Sequence, residues 1–484
     1  MVQQTSMTGG GFPQMPWGYL IQLAAKHVRG RKPYSNTDAK WNRLCYLAQA
    51  FAAVIDVQPY TPTFWGTMDA TALVPYLQEM AVYDTLFRIP QMRPSDVAKV
   101  ARGMLSWLGM TAPTRLGWSI DQVLDIVSYL LNPVRDVRGP IFIEEANIRR
   151  ACPNIPREIV TKILHEVLSH PATGANQNFS RPMDAPIPES PDLKSAGHDF
   201  FLRPLLQVGQ SFVLLDRSVC APACIEALLT ALRPVTEGLD DKVGSAIEHF
   251  LMAEFVSHGV PTCGGDYDAG DEHGECDLVV EATDKVIFVE VKKKTLTRRA
   301  KAGSDAHLLL DLADSLLAAQ AQTGWHEVRL RRDGHLDLVR NGSISHLALN
   351  GREVERVAVS LFDFSSFQDR MLLKQFLEAT LSVSFTSSVA SFNKKFEKMN
   401  KMLVEIREQV AALHPAEEEL RQPFFNCWFI SVPQILVLLD GVTDGAGFRD
   451  ALWSCRAIVT GSSDLYYDLS RMRRLKREAA TIAI

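Results

Sequence analysis

Two short apolar runs, Leu278-Val279-Val280 and Val286-Ile287-Phe288-Val289-Glu290-Val291, constrain this chain more than any other feature. Side chains alternate between faces along a strand, so Val286, Phe288, Glu290 and Lys292 share one face while Ile287, Val289 and Val291 share the other. A strand that is apolar on both faces until its last residues belongs inside a covered sheet, not at a solvated edge. With helical patterns before and after these runs the expected fold class is α/β, and charges at the end of such a strand mark a site at the rim of the sheet.

The turn residues Thr283-Asp284 between the runs suit a hairpin. Folded about them, Asp277 falls opposite Glu290, and opposed Cβ atoms are about 4.5–5.5 Å apart. Two carboxylates that close, with the Lys292 ammonium alongside, suit an oxygen-preferring divalent cation and a phosphate. In that chemistry Asp277 and Glu290 hold Mg2+, and the main-chain carbonyl of Val291 is a further hard oxygen ligand. Lys292 positions a water or stabilises charge on the phosphate.

The stretch from about residue 243 to 310 resembles the PD-(D/E)xK, or restriction-endonuclease-like, nuclease superfamily. Residues 243–250 look like the family's first helix with its glutamate, Glu248, and Gly259 looks like the glycine that ends it. Asp277 looks like the first metal-binding acid, Glu290 like the second, and Lys292 like the catalytic lysine. Cys276 stands where the family name has a proline, a position many members vary. The resemblance implies a restriction-endonuclease-like mixed-sheet core flanked by α-helical regions, with Mg2+ as cofactor and Mn2+ as its substitute. It also implies catalytic roles for Glu248, Asp277, Glu290 and Lys292.

Glu248 has a rival. The helix around it carries an apolar stripe at Val243, Ile247, Phe250, Leu251 and Phe255. Glu248 lies about 90° from the centre of that stripe, and Glu254 lies closer. The family pattern favours Glu248; the helical wheel alone favours Glu254.

From Lys292 to Lys301 six of ten residues are basic. Most charge runs are solvated faces. Beside a metal site, Lys293, Lys294, Arg298, Arg299 and Lys301 become expected contacts for nucleic-acid phosphates. A helix is expected over residues 305–322, where Gln320 or Gln322 could line the cleft.

The rest of the chain sets bounds. At 484 residues it is long enough for two to four domains. With 51 basic and 56 acidic residues the net charge is −5, so a nucleic-acid surface must be local. The eight cysteines are scattered, which in so large a chain favours reduced thiols and a cytoplasmic setting over a disulfide scaffold. The N-terminus lacks the apolar core of a signal peptide. Residues 424–439 hold Asn426, Ser431, Pro433 and Gln434 and fall short of the ~20 residues of a membrane span. They read as a buried helix or strand pair, and no membrane partner is expected.

Four regions are expected: an α-helical N-terminal domain over residues 1–170, a linker at 171–194 with five prolines, a nuclease domain over 195–365, and a mainly helical C-terminal region over 366–484. Residues 1 to about 15 read as a leader, and the basic cluster Lys26, His27, Arg29, Arg31 and Lys32 as a solvated loop. Helices are expected at 44–55, 97–108, 157–168, 225–232 and 392–413. A strand at 211–215 is expected to join the core as an added layer. Another pair is expected at 327–330 and 336–339 about Asp333-Gly334, and a further strand at 356–362. A basic helix is expected near Arg471–Arg477.

No phosphate-binding glycine loop, His-Glu-x-x-His or Gly-x-Ser-x-Gly motif occurs, so any motor or sensor is expected to be a separate NTPase or sensor protein. The expected function is Mg2+-dependent endonuclease cleavage of DNA, as an effector of antiviral defence or restriction, with homo-oligomerisation through the helical flanks. The alternatives are a catalytically inactive nucleic-acid-binding or scaffold protein that keeps the fold, and an RNA or tRNA nuclease.

Overall fold

The computed structural model describes residues 15–28, 37–57, 71–132, 139–171, 174–177, 179–184, 199–270, 272–414, 422–457 and 465–482. Arg29, Arg31 and Lys32, residues 1–14 of the leader and residues 185–194 of the expected linker lie outside them. The described residues divide into two compact units, one within residues 15–57 and 82–247, the other within residues 71–81 and 248–482.

The first unit is mainly helical. The expected helices at 44–55 and 225–232 appear within Thr37–Ile55 and Arg217–Leu232, the one expected at 97–108 ends earlier as Val97–Leu105, and Arg157–Lys162 continues as a π-helical turn at Ile163–Leu168. Its three strands are β1 (Ile141–Glu144), β2 (Leu206–Val208) and β3 (Ser211–Leu214). They form a separate antiparallel sheet in the order β1-β3-β2. This corrects the expectation that the strand at 211–215 adds a layer to the core. Both edges of β3 are hydrogen-bonded to β1 and β2, so it has no edge to offer the larger sheet.

The second unit is built on a seven-stranded mixed sheet, which makes the protein mixed α/β. The helix α1 (Leu239–Ser257) leads in, and β4 (Thr262–Ala269), β5 (Glu272–Glu281) and β6 (Lys285–Lys292) follow as an antiparallel meander. Gly259 ends α1 as expected. Its φ is +71°, and the Val260 N–H closes the last turn onto the Phe255 carbonyl. A second reason for glycine is space, since a Cβ there would meet the Thr443 carbonyl oxygen at 2.3 Å.

The chain then crosses over through α2 (Asp305–Leu312), a π-helical turn at Ala313–Leu317, and α3 (Ala318–Asp333). The hairpin of β7 (His335–Arg340) and β8 (Ser343–Ala348) pairs onto β4. Next comes β9 (Glu353–Ser360), parallel to β6, then α4 (Ala390–Leu413). The last strand, β10 (Cys427–Ser431), is parallel to β9 and runs into α5 (Val432–Leu438). The sheet order is β10-β9-β6-β5-β4-β7-β8. The apolar stretch at 424–439 thus becomes one strand and one helix, and residues of the C-terminal region supply an edge of the sheet. The basic segment at 471–477 lies in the helix Leu465–Ile482.

One expected pair is corrected. Residues 327–330 are the last turns of α3, not a strand. Glu327 and Leu330 are buried with Gln320, Thr323 and His326, a helical spacing that packs one face of α3 inward. Gly334 caps α3 in the left-handed conformation, and β7 pairs with β8 across the Asn341-Gly342 turn instead.

Strand β6 is buried from Lys285 to Val291, as its two apolar faces require. One face of the sheet buries Val279, Val286, Phe288 and Val354 with Leu330 of α3. The helix is also fastened by polar groups. Glu327 of α3 lies 3.4 Å from the Arg356 guanidinium of β9, and Asn426 donates to the same carboxylate at 2.9 Å. At the start of β6 the buried Lys285 ammonium pairs with Glu353 and Glu355 and lies 4.4 Å from the centre of the Trp453 ring.

Candidate active site

The β5–β6 hairpin closes at Thr283-Asp284, where the Ala282 N–H donates to the Lys285 carbonyl at 2.9 Å. The ladder pairs Leu278 with Val289, Val279 with Phe288, Val280 with Ile287 and Glu281 with Val286. Carried one step further, this is the expected register, with Asp277 facing Glu290. At that step a side chain takes over from the main chain. The Val291 N–H donates to Asp277 Oδ2 at 2.8 Å, which fixes the carboxyl at the end of β6. Lys292 Nζ lies 3.1 Å from Glu290 Oε1.

Asp277 and Glu290 are buried, and Glu248 on α1 is half-buried. Burial and the neighbouring Glu290 push the Asp277 carboxyl up to about 8, against the opposing pull of Lys292. Burial also raises Glu290, although Lys292 favours its charged form. The two carboxyls are coupled, and burial disfavours a second negative charge beside the first. Burial, then Asp277, Glu290 and Glu275, push Glu248 to about 7. That electrostatic coupling places Glu248 in the field of the pair. Glu254 is buried on the same helix, and its carbonyl accepts from His258 and Ser257.

Three features of the site escape a strand-by-strand reading. The first is His326 on α3. It is buried, with Nε2 3.8 Å from Glu290 Oε2 and Nδ1 2.7 Å from the Tyr267 hydroxyl. Arg329 donates to that hydroxyl oxygen at 2.9 Å. The Tyr267 hydroxyl thus links the His326 ring to Arg329, which can only donate. Burial, then Arg329, hold the ring's pKa down to about 3, so it is neutral across the working range.

The second feature is Arg340 on β7, which donates to the Asp277 carbonyl at 2.8 Å and to the Cys276 carbonyl at 3.3 Å. The third explains why those carbonyls need it. The β4–β5 register shifts between Cys263 and Gly265, a bulge that leaves the main chain beside Asp277 out of the ladder. A Cβ on Gly264 would meet the Asp277 and Cys276 carbonyl oxygens at 2.8 and 2.9 Å. The Gly-Gly pair inside a strand pattern was the available sequence signal. His326 and Arg340 had none, since only the packing of α3 and β7 brings them here.

The basic run divides. Lys293 and Arg299 are exposed. Lys294 is 2.9 Å from the buried Asp311 carboxylate, which also accepts from the Thr297 N–H at 2.7 Å. Arg298 and Lys301 lie in a one-turn helix, Arg298–Lys301, capped by Thr297. Gln320 is buried and donates to the Trp428 carbonyl at 3.2 Å, so it ties α3 to β10 and does not line a cleft. Gln322 is exposed.

The donor set at the centre is all hard oxygen. Asp277, Glu290 and Glu248 crowd carboxyl groups that Lys292 only partly offsets, and a bound cation would relieve that crowding. This fits a divalent cation of the Mg2+ type. All eight cysteines are free thiols, and Cys276 sits in the apolar cluster beside the site. No described helix is long and apolar enough to cross a membrane. The chain has no significant match among family models, curated proteins or solved structures.

Proposed function

We propose that this chain is a metal-dependent nuclease and that its centre is Asp277, Glu290 and Lys292 with Glu248 beside them. The observation that carries this reading is the buried carboxyl pair at the end of β5 and β6, with the Val291 N–H fixing one member and the Lys292 ammonium 3.1 Å from the other. Buried acids are costly unless paired or bound to a metal, and strongly shifted groups cluster at functional sites.

Asp277 and Glu290, with the Val291 carbonyl, are the residues that would hold Mg2+, which when bound supplies Lewis acidity toward a phosphate oxygen and lowers the pKa of a water. The chain's own groups do the rest. Lys292 orients the attacking water or meets the charge that builds on the phosphate. Glu248, with its pKa near 7, can take or hold a proton at the pH where the enzyme works. His326 packs behind Glu290 as a neutral ring, its Nε2 3.8 Å from Glu290 Oε2 and beyond hydrogen-bond reach. Exposed Lys293 and Arg299 offer charge to the nucleic-acid backbone.

DNA is the proposed substrate, and a cytoplasmic role in restriction or antiviral defence belongs to the same proposal, on the strength of the resemblance described above. The test is cleavage of plasmid and linear DNA, with RNA in parallel, in Mg2+ or Mn2+. Wild type is compared with Glu290→Ala and Lys292→Ala. Metal-dependent cutting lost in both variants supports the site. Equal cutting by all three would refute it, and cutting of RNA alone would move the substrate.

A further inference from the structure

A second set of ligating side chains lies on the outer hairpin of the same sheet. His335 and Asp337 are two residues apart on β7, and His346 of β8 is paired directly with Asp337. Residues in those positions leave the sheet on one face. That face is solvent: His335, Asp337 and His346 are exposed, while the alternating Leu336, Leu338 and Leu347 are buried in the core.

One ligand atom from each of the three lies within 4.8 Å of the others. His346 Nδ1 is 2.7 Å from Asp337 Oδ1, and the two imidazole ring centres are 5.0 Å apart. His335 Nδ1 is 3.2 Å from the Asp333 carbonyl oxygen.

We propose that His335, Asp337 and His346 form a binding site for a transition-metal cation of the Zn2+ class, separate from the carboxylate centre. Three arguments carry it. Two imidazoles and one carboxylate are the donor set that zinc-class ions select and that Mg2+ does not. The placement also makes the ligands converge, because strands hold an i, i+2 pair and its cross-strand partner with fixed Cβ positions. The third argument is distance. Tetrahedral donors about 2.0–2.1 Å from zinc are about 3.3 Å from one another. A cluster spanning 4.8 Å closes that gap by rotation about side-chain bonds, and exposed side chains make such rotations without moving the backbone.

A plain His346–Asp337 ion pair accounts for two of the residues. It does not account for a second imidazole brought beside the first. Water would complete the coordination, since the face is open. Such a site clips β7 to β8 at the end opposite their Asn341-Gly342 turn.

The experiment titrates the full-length chain with ZnCl2 by calorimetry and with CoCl2 by visible absorption. Wild type is compared with Asp277→Ala, His335→Ala and His346→Ala. The expected result is a zinc equivalent that Asp277→Ala retains, with affinity for it at least about 10-fold weaker in each histidine variant. The histidines are exposed, so the variants fold. Absence of zinc binding in wild type, unchanged binding in both histidine variants, or binding lost in Asp277→Ala would each overturn the site. The carboxylate centre is read separately, by Mg2+-dependent cleavage, so either proposal can fail without the other.

Discussion

Asp277 and Glu290 on the β5–β6 hairpin, and Asp337 and His346 on the β7–β8 hairpin, are cross-strand neighbours in one sheet, yet they meet different surroundings. The inner hairpin has β4 on one side and β9 on the other, and its acids are buried. There, desolvation dominates and pushes Asp277 up to about 8. The outer hairpin ends the sheet, with its polar face in water, and its acid and imidazole are ordinary surface groups within bonding distance. Position in the sheet, more than residue type, separates a charge-hungry oxygen centre from an open nitrogen-rich one.

The comparison can be broken most sharply by activity. Lys292→Ala is expected to lower metal-dependent cleavage by roughly 10²–10⁴-fold, the usual loss for an aligned catalytic group. His346→Ala should leave the same rate within about twofold. A drop of equal size in both would mean that the hairpins serve one site.

Next in size is Arg340→Met. It leaves the Asp277 and Cys276 carbonyls without their donor, at a cost of about 1–3 kcal/mol in denaturant unfolding. Arg340 acts through the main chain of Asp277, so weaker Mg2+ binding should accompany the loss, with partial rescue by Arg340→Lys. Lost stability with unchanged Mg2+ affinity would make Arg340 a purely structural brace.

The pH dependence sharpens the contrast further. Asp277 binds its proton more tightly folded, at about 8, than unfolded, near the ordinary value of 3.8. The folded state therefore holds the extra proton between those values, and this contribution to stability falls as pH rises from about 4 to about 8. Glu248 adds a fall of the same sign up to about 7. His326 opposes them, because a ring held near 3 makes stability rise between about 3 and 6.5. Metal-free melting curves of Asp277→Asn should lose the decline that survives between 6.5 and 8. Mg2+ should restore stability most at the alkaline end.

The smallest effect is on the outer hairpin. His335→Ala should shift metal-free unfolding by no more than about 0.5 kcal/mol, as at other exposed positions. A larger shift would mean that the residue supports the fold.

The inner hairpin was legible in the sequence because its information is local. Apolar residues on both faces of 286–291 demanded a covered strand, and the two-residue turn fixed which acid meets which. Gly259 was legible as a helix stop for the same reason. The outer hairpin was misplaced because two turn dipeptides compete. Asp333-Gly334 and Asn341-Gly342 both suit a hairpin, and Glu327-Val328-Arg329-Leu330 alternates like a strand. The helix prevails because residues 320, 323, 326, 327 and 330 give α3 one continuous buried face, and Gly334 then serves as its cap. His326 and Arg340 reach Glu290 and Asp277 only through tertiary packing, which no local pattern encodes.

The tight closure at Thr283-Asp284 carries a liability for the lineage of this chain. Its main-chain bond from Ala282 to Lys285 leaves no slack. Insertion or loss of one codon there would slide β6 by one residue and turn Glu290 and Lys292 to the opposite face, away from Asp277. The lesion would lie some 20 Å from the acids at about 3.3 Å per residue, with every site residue still spelled correctly. A scan that checks only residue identities would pass such a gene as intact, although the pairing that makes the centre would be gone.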